Sequence, residues 1–512
     1  MSYWKVLVLP IDPLQNGLCE VRCLEHYATG ALATGYNYSI DSMTILDVNA
    51  GISYFSYLRS PKNANFDLTS IGWPAGYNTA IPATMRTPPT PCVTSFADNI
   101  MCSQGQSFIQ DRNTQYNLSP SLTLVRGHDL YHFGFQLEVS YDDAAQTNVA
   151  SGAFDFCGVG ESCFTGVSMA DFLLGYADNF SNVNNHFSAQ AVVPAFTAGK
   201  QVYRAFHFND TWRVTDALSV NLGLRYELPG PWSERSNRLS YFDPAAASYL
   251  NRFSPAGLPQ VMGDVFLVPP SERNNVPLAT NNVAPRFGAA YSLSHSTVMR
   301  TGYGIFWIPD YVAYALNPNN DMVNAASTTY TGTVDGIHPY NSISQPFPNG
   351  ISPPPGRSLG IEGTQQFFTQ VVQSITEVDR GNHPHGYVQQ WNLSVEQQLP
   401  ARISFVAAYA GSKGTHLAQY SQQINQISDS LLAEAAAQFA EGGRSAVMLL
   451  QPVANPFFVN GRALALAAPT TTEGQLLRPY PQYTSVELSG QGSFASIYHS
   501  FQLTAQRRFA AG

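Results

Sequence analysis

The chain has 512 residues, only 12% of them charged, with a formal net charge of −9. That is about half the charged fraction usual for soluble globular chains, and the acidic balance gives no basic surface for a nucleic acid partner. No run of about 18 apolar residues occurs, which excludes a transmembrane helix and leaves strands as the means of crossing a bilayer.

The first thirty residues do not read as a signal peptide. One Lys and a short apolar run in 1–10 are interrupted by Asp12 and Pro13, with no small-residue cleavage site after them. Residues 1–30 are therefore set aside as an anomalous segment, and the true start of the exported protein is expected upstream.

The first clear strand follows. Leu46, Val48, Ala50, Ile52 and Tyr54 alternate with Asp47, Asn49, Gly51 and Ser53. Period-two alternation of this kind makes a strand with one apolar and one wet face. After a turn at Gly127-His128-Asp129, Tyr131, Phe133, Phe135, Leu137, Val139 and Tyr141 oppose His132, Gly134, Gln136, Glu138 and Ser140. The sharpest case is 218–228, where Leu218, Val220, Leu222, Leu224, Tyr226 and Leu228 oppose Ser219, Asn221, Gly223, Arg225 and Glu227. Asp210 breaks the pattern on the face of Phe206, Phe208 and Trp212, and is expected near a strand end, where charges are cheaper.

Further pairs are expected at 286–292 with 297–307, and at 391–399 with 403–409. A last pair is expected around Gly490-Gln491-Gly492, for about twelve strands in all. Strands pair across a few residues, as at Thr215-Asp216-Ala217, Ser294-His295-Ser296 and Pro400-Ala401. Between hairpins lie segments of roughly fifty to seventy-five residues, far beyond ordinary loops. They are rich in Asn, Pro, Gly and Ser, as at 317–356, and one holds a helix-like stretch at 431–440. Short turns alternating with long connections are how bacterial outer-membrane barrels are built, with the turns in the periplasm and the loops outside. The 30 Phe and 27 Tyr suit aromatic girdles at the two interfaces. The expected fold is all-β, an antiparallel transmembrane barrel in outer-membrane lipid. A soluble sandwich or propeller would also alternate, but low charge, strand length and the connection rule weigh against it.

Six cysteines form three close pairs: Cys19/Cys23, Cys92/Cys102 and Cys157/Cys163. For Cys92, Cys102, Cys157 and Cys163, short disulfide clips in an oxidising compartment are favoured over zinc. The spacings lack the C-x2-C form and no His lies close to these pairs. The first pair, with His26 after it, is left unassigned. His383-Pro384-His385 is the most metal-like cluster, yet it lacks a third ligand, and an exposed loop is the better account. Asp142-Asp143, adjacent on a strand, point to opposite faces and are poorly placed as a catalytic pair. No G-x-S-x-G, phosphate-binding glycine loop or HExxH occurs, so neither an enzyme nor a cofactor is expected. His132, Gln136 and Glu138 read as lumen lining. Arg225, Glu227, Arg300 and Glu396 read as lumen charges, and Gly302 and Gly304 beside Arg300 leave space in the lumen.

Several segments resemble the barrel domain of the Oar-like TonB-dependent transporters of acidobacterial type. They are Asn209-Asp210-Thr211-Trp212-Arg213-Val214, Leu222-Gly223-Leu224-Arg225-Tyr226-Glu227 and Asn237-Arg238-Leu239-Ser240-Tyr241-Phe242-Asp243-Pro244. Ala284-Pro285-Arg286-Phe287-Gly288, Arg300-Thr301-Gly302-Tyr303-Gly304-Ile305-Phe306 and Gln390-Trp391-Asn392-Leu393-Ser394 follow. The last is Ala408-Tyr409-Ala410-Gly411-Ser412-Lys413-Gly414-Thr415-His416-Leu417. The joint match runs over about 210–417, with weaker similarity from about 31 to the end.

The resemblance implies a large outer-membrane barrel of about twenty-two strands that imports a bulky extracellular ligand past a plug. Energy comes from the TonB complex through an N-terminal region. No plug, TonB box or regulatory-like domain is recognisable here. Residues 31–512 are therefore expected to be a partial barrel domain, a fragment lacking plug and C-terminal strands. The alternative functional reading is a structural or adhesive surface protein displaying long loops, and a weaker one is a secreted β-rich binding module. No residue in the sequence supports a ligand-binding assignment.

Overall fold

The computed structural model describes residues 5–8, 23–93, 108–147, 149–156, 164–177, 190–252, 260–308, 325–332, 338–354, 356–358, 360, 374–378, 380–381, 384–400, 403–419, 421–443, 446–457, 470–490 and 492–507. One antiparallel sheet dominates them. Its strands are β1 (Lys5–Val8), β2 (Cys23–Asp41), β3 (Thr44–Pro61), β4 (Phe108–Arg126), β5 (Asp129–Thr147) and β6 (Thr197–Arg213). They continue with β7 (Leu218–Pro229), β8 (Asn282–Ser294), β9 (Thr297–Trp307), β10 (Tyr387–Leu399), β11 (Ile403–Leu417) and β12 (Phe494–Arg507). Spatial order equals chain order from β1 to β12, so every neighbour is the next strand of the wall, an up-and-down meander.

Alternation decides why these segments are strands and which way they face. Phe208 lies opposite Leu224, Leu222 opposite Phe287, Phe287 opposite Tyr303, Leu393 opposite Tyr409 through the β10–β11 register, and Tyr409 opposite Phe501. Cross-strand partners share a face, so one apolar belt crosses the whole sheet. That belt is exposed: Leu224 keeps 49% of its surface and Phe206 50%, values no water-facing sheet would hold over this area. It is the lipid side. Tyr38, Trp212 and Tyr291 sit on it near the short turns, as an interfacial girdle requires. Asp210 lies three residues inside the end of β6, opposite Leu222 and Tyr131.

β2, β4 and β5 have 19 residues each, about twice what is needed to cross hydrocarbon, so they project beyond the membrane at the end away from the turns. The short turns are fastened by local side chains. Thr215 Oγ1 accepts the backbone N–H groups of Ala217 (3.2 Å) and Leu218 (3.0 Å), and Asp41 accepts that of Met43 at 2.7 Å.

The described parts of the long connections pack on one another. The strand Ala325–Thr329 pairs with Gln190–Pro194, and Ala153–Phe156 joins it to Thr90–Val93, so three different connections share one small sheet. Beneath it lie Trp73, Tyr77, Phe154, Phe156, Tyr330 and Phe347, nearly inaccessible to solvent. A second core gathers Phe242, Val265, Ile375, Tyr483 and Val486. The helix expected at 431–440 is present as Asp429–Gly442. The pair expected around Gly490-Gln491-Gly492 is not a hairpin. Ser485–Ser489 runs parallel to Ser374–Val378 inside the second core, while β12 pairs with β11. Burial of Val486 and Leu488 against Phe242 outweighs the local turn signal there.

In this second core Asp264 is fully buried, its two carboxylate oxygens accepting the N–H groups of Tyr249 (2.7 Å) and Val265 (2.8 Å). Burial pushes the carboxyl from 3.8 up to about 6, the two backbone bonds offsetting only part of it. Between these values the folded state holds a proton that the unfolded chain has released. Stability is therefore highest at low pH and falls as pH rises through that window, by about 3 kcal/mol for a two-unit shift. Opening free energies from hydrogen exchange over 240–267 are expected to be larger at pH 4 than at pH 7, and Asp264→Asn to remove the difference. A rise in protection with pH would contradict this.

Candidate functional site on the wet face of the wall

The face opposite the lipid belt carries the polar partners of the alternation, and the structure gathers them into a cluster at β5, β6 and β7. Arg225 donates through Nη2 to Gln136 Oε1 at 2.6 Å and to the Tyr203 hydroxyl at 2.9 Å, and its Nε pairs with Glu227 Oε1 at 3.1 Å. The Tyr203 hydroxyl in turn donates to the other Glu227 oxygen at 2.7 Å. Arg225 and Glu227 are two apart on one strand, hence on one face, and both are largely shielded. A closed network of this kind fixes the guanidinium rather than presenting it.

Beside it is a small pocket of about 140 Å³ into which His132, His207, Asn209, Arg225 and Arg286 are gathered. The two imidazoles lie 5.2 Å apart between ring centres, and His132 Nδ1 is hydrogen-bonded to Thr123 Oγ1 at 3.0 Å. Glycine makes this possible. A Cβ on Gly134 would stand 2.7 Å from the Pro120 carbonyl oxygen and 2.8 Å from the His207 ring, and one on Gly223 would stand 2.6 Å from Asn209 Oδ1. Arg286 stacks over the Phe306 ring at 4.8 Å, and among the described residues it has no carboxylate partner.

The other lumen charges also meet partners. Arg300 pairs with Glu396 at 2.9 Å across β9 and β10, with Ser404 donating to Glu396 at 3.3 Å. Gly302 and Gly304 sit on the same face, where a Cβ would press on Asn392 and Phe306. A further cluster, silent in the sequence, lies at the far end of β2 and β3. There Glu25 accepts from Arg59 (2.6 Å), Tyr27 (3.1 Å) and Tyr57 (3.2 Å), with the tyrosine rings stacked 4.7 Å apart.

His132, Gln136 and Glu138 line this wet face as the alternation indicates. Asp142 and Asp143 diverge: Asp142 is buried, and Asp143 pairs with Arg235. Of the metal-like cluster, His385 is buried, while His383 lies outside the described residues. Among the described residues no group of three or more His, Cys, Asp or Glu side chains could hold a metal ion. Cys102, Cys157 and Cys163, and the side chain of Cys92, also lie outside them.

Residues 21–512 match the family model described as the outer membrane beta barrel domain. The chain belongs to that family. It is thus a protein of the Gram-negative outer membrane and not an enzyme, with the short turns of this barrel domain in the periplasm and the long connections outside. No curated protein matches. Among solved structures, the outer membrane transporter YddB from Escherichia coli is similar at 11% identity and a TM-score of 0.37, over 84% of this chain and 38% of that one. An FrpB iron transporter from Neisseria meningitidis is similar at 8% identity and a TM-score of 0.38, over 99% of this chain and 46% of that one. The copper transporter OprC gives 8% identity and a TM-score of 0.36, over 78% and 42%. The chain spans less than half the length of each.

Proposed function

We propose that this barrel domain is part of an Oar-like TonB-dependent transporter, a receptor that takes a bulky extracellular ligand through a plugged lumen. The observation that carries the reading is Arg286. Its guanidinium faces the wet side of the wall beside two histidines and has no carboxylate partner among the described residues. A cation so placed favours an acidic group from a body inside the barrel, as a plug would supply. The edges β1 and β12 do not pair with each other. Bare edges in lipid leave backbone groups unpaired at several kcal/mol each, so residues 31–512 are read as a partial wall closed by further strands of a longer protein. In that protein the TonB complex would engage an N-terminal region, and Cys92, Cys102, Cys157 and Cys163 would form short clips in the external layer.

The shared sheet of the long connections favours one second reading, a surface or adhesive protein whose barrel displays a folded cap. Depletion of solutes from the medium separates the two. Under the transporter reading, a solute removed by the parent strain is left behind both when this gene is deleted and when TonB is deleted. Unchanged depletion with a loss of surface attachment in the gene deletion would overturn transport in favour of display.

A further inference from the structure

The external cap contains a second cavity, unrelated to the lumen cluster. It measures about 420 Å³, within the range of small-molecule sites, and it lies between three of the long connections. Trp73, Phe154 and Phe156 form its buried floor, the half-buried Phe172 its wall, and Ser342 and Ser344, whose hydroxyls are bonded to each other at 3.2 Å, stand on one side. Its rim is apolar as well: Ile71 is 45% exposed, Leu174 56% and Leu173 76%. Apolar side chains left in water around an aromatic cavity are what a binding mouth presents.

The polar groups nearby are already committed. The Trp73 indole N–H donates to the Ile343 carbonyl at 2.7 Å, and the Ile343 N–H to the Gly175 carbonyl at 2.9 Å. Asp171, on the helix that carries Phe172, has its two carboxylate oxygens on the backbone N–H groups of Phe164 and Thr165, both at 2.9 Å. No Asp, Glu, Lys, Arg or His is among the described lining residues. The wall is shaped by Gly175, which has φ +78°. A Cβ there would meet Ile343 and Ser342 at 3.1 Å, so glycine lets the serine-bearing segment close against the helix.

From these observations we infer that the cap cavity binds an uncharged, ring-bearing small molecule with one or two hydroxyl or carbonyl groups. A ring packs against Phe172 and the exposed apolar rim of Ile71, Leu173 and Leu174, above the buried core of Trp73, Phe154 and Phe156, and the serine hydroxyls meet the polar substituent. An anion entering this cavity would lose its water and find no cation among the described lining residues. As the ligand class of the proposed transporter the inference rests on that reading, but the pocket is tested by binding alone.

The probes are 2-naphthylmethanol and 2-naphthoate, matched in shape and differing in charge at pH 7. Binding is followed by saturation-transfer NMR and titration calorimetry on the full-length protein in lipid nanodiscs, with empty nanodiscs subtracted. The alcohol is expected to bind at least tenfold more tightly than the carboxylate. Ser344→Phe, which fills the cavity from its exposed side, is expected to weaken the alcohol at least fivefold. Leu173→Asp, at a rim position too exposed to affect folding, is expected to weaken it at least threefold. Equal affinity for the two probes, or alcohol binding unchanged in both variants, overturns the inference. If the alcohol binds as expected while cells lacking the gene still deplete the medium like the parent, the pocket stands and transport falls. If TonB-dependent depletion holds and neither probe binds, the pocket falls alone.

Discussion

Leu224→Arg is expected to destabilise the protein in phospholipid bilayers by about 2–4 kcal/mol, the cost of a cation near the middle of a barrel's lipid face. Leu224 is the seventh residue of β7, flanked across the sheet by Phe208 and Pro285, and it is half exposed on the apolar belt. Its neighbour in sequence, Gly223, looks the other way, against Asn209. Asn221→Arg, on the wet face of the same strand, places the same charge toward water and is expected to cost less than about 1 kcal/mol. Equilibrium unfolding of both variants in vesicles gives the comparison. A larger loss for Asn221→Arg would reverse the assignment of the two faces, and equal losses would deny that the sheet separates lipid from water.

Glu234→Ala is expected to have an effect of similar or greater size, about 3–5 kcal/mol, for a different reason. The Glu234 side chain is wholly buried, and its carboxylate is the acceptor on which the start of β6 converges with the connection after β7. Oε1 accepts the Ala198 N–H at 3.1 Å and Arg238 Nη2 at 3.1 Å, and Oε2 accepts the Arg238 N–H at 3.0 Å. Arg238 also donates to the Phe196 carbonyl. Alanine would leave a shielded guanidinium and two backbone donors without their acceptor, the costly way to break a buried pair. Hydrogen exchange at 197–200 and 233–238 should accelerate by two to three orders of magnitude, with little change in the turn at 214–217. Glu234→Gln keeps an acceptor without the charge and should fall between. Uniform acceleration across the wall would mean that Glu234 does not act locally.

The wall was readable in the sequence wherever two solvents press on one strand. Leu222 and Leu224 against Asn221 and Arg225 leave no other interpretation, because a slip of one residue would put both sets in the wrong medium. β2 was not readable in the same way. Its lipid side runs through Ala28, Gly30 and Thr34 before reaching Tyr36 and Tyr38, and small residues carry little contrast between faces. What fixes it is the ladder with β3, in which Leu32 meets Ile52 and Tyr36 meets Val48.

The candidate site divides along the same line. Arg225 with Glu227 follows from their spacing of two, but Tyr203 and Gln136, which complete the network, arrive from other strands at separations of 22 and 89 residues. Arg286 was visible only as part of a motif. Its lack of a carboxylate partner among the described residues is a property of β7, β8 and β9 together. The external cap was least legible, since its strands are two to eight residues long and pair between different connections, in part in parallel. A short apolar run in Pro- and Gly-rich sequence carries no sign of which distant run will cover it.

The decisive measurement is a photo-crosslinking scan of β7 in living cells, with a benzophenone amino acid placed singly at 219, 220, 221, 222, 224 and 225. Lipid adducts are expected at 220, 222 and 224, and protein adducts or none at 219, 221 and 225. That pattern would set Val220, Leu222 and Leu224 in the outer membrane and Ser219, Asn221 and Arg225 toward the lumen. Lipid adducts in the opposite phase, or at none of the six, would contradict an outer-membrane wall.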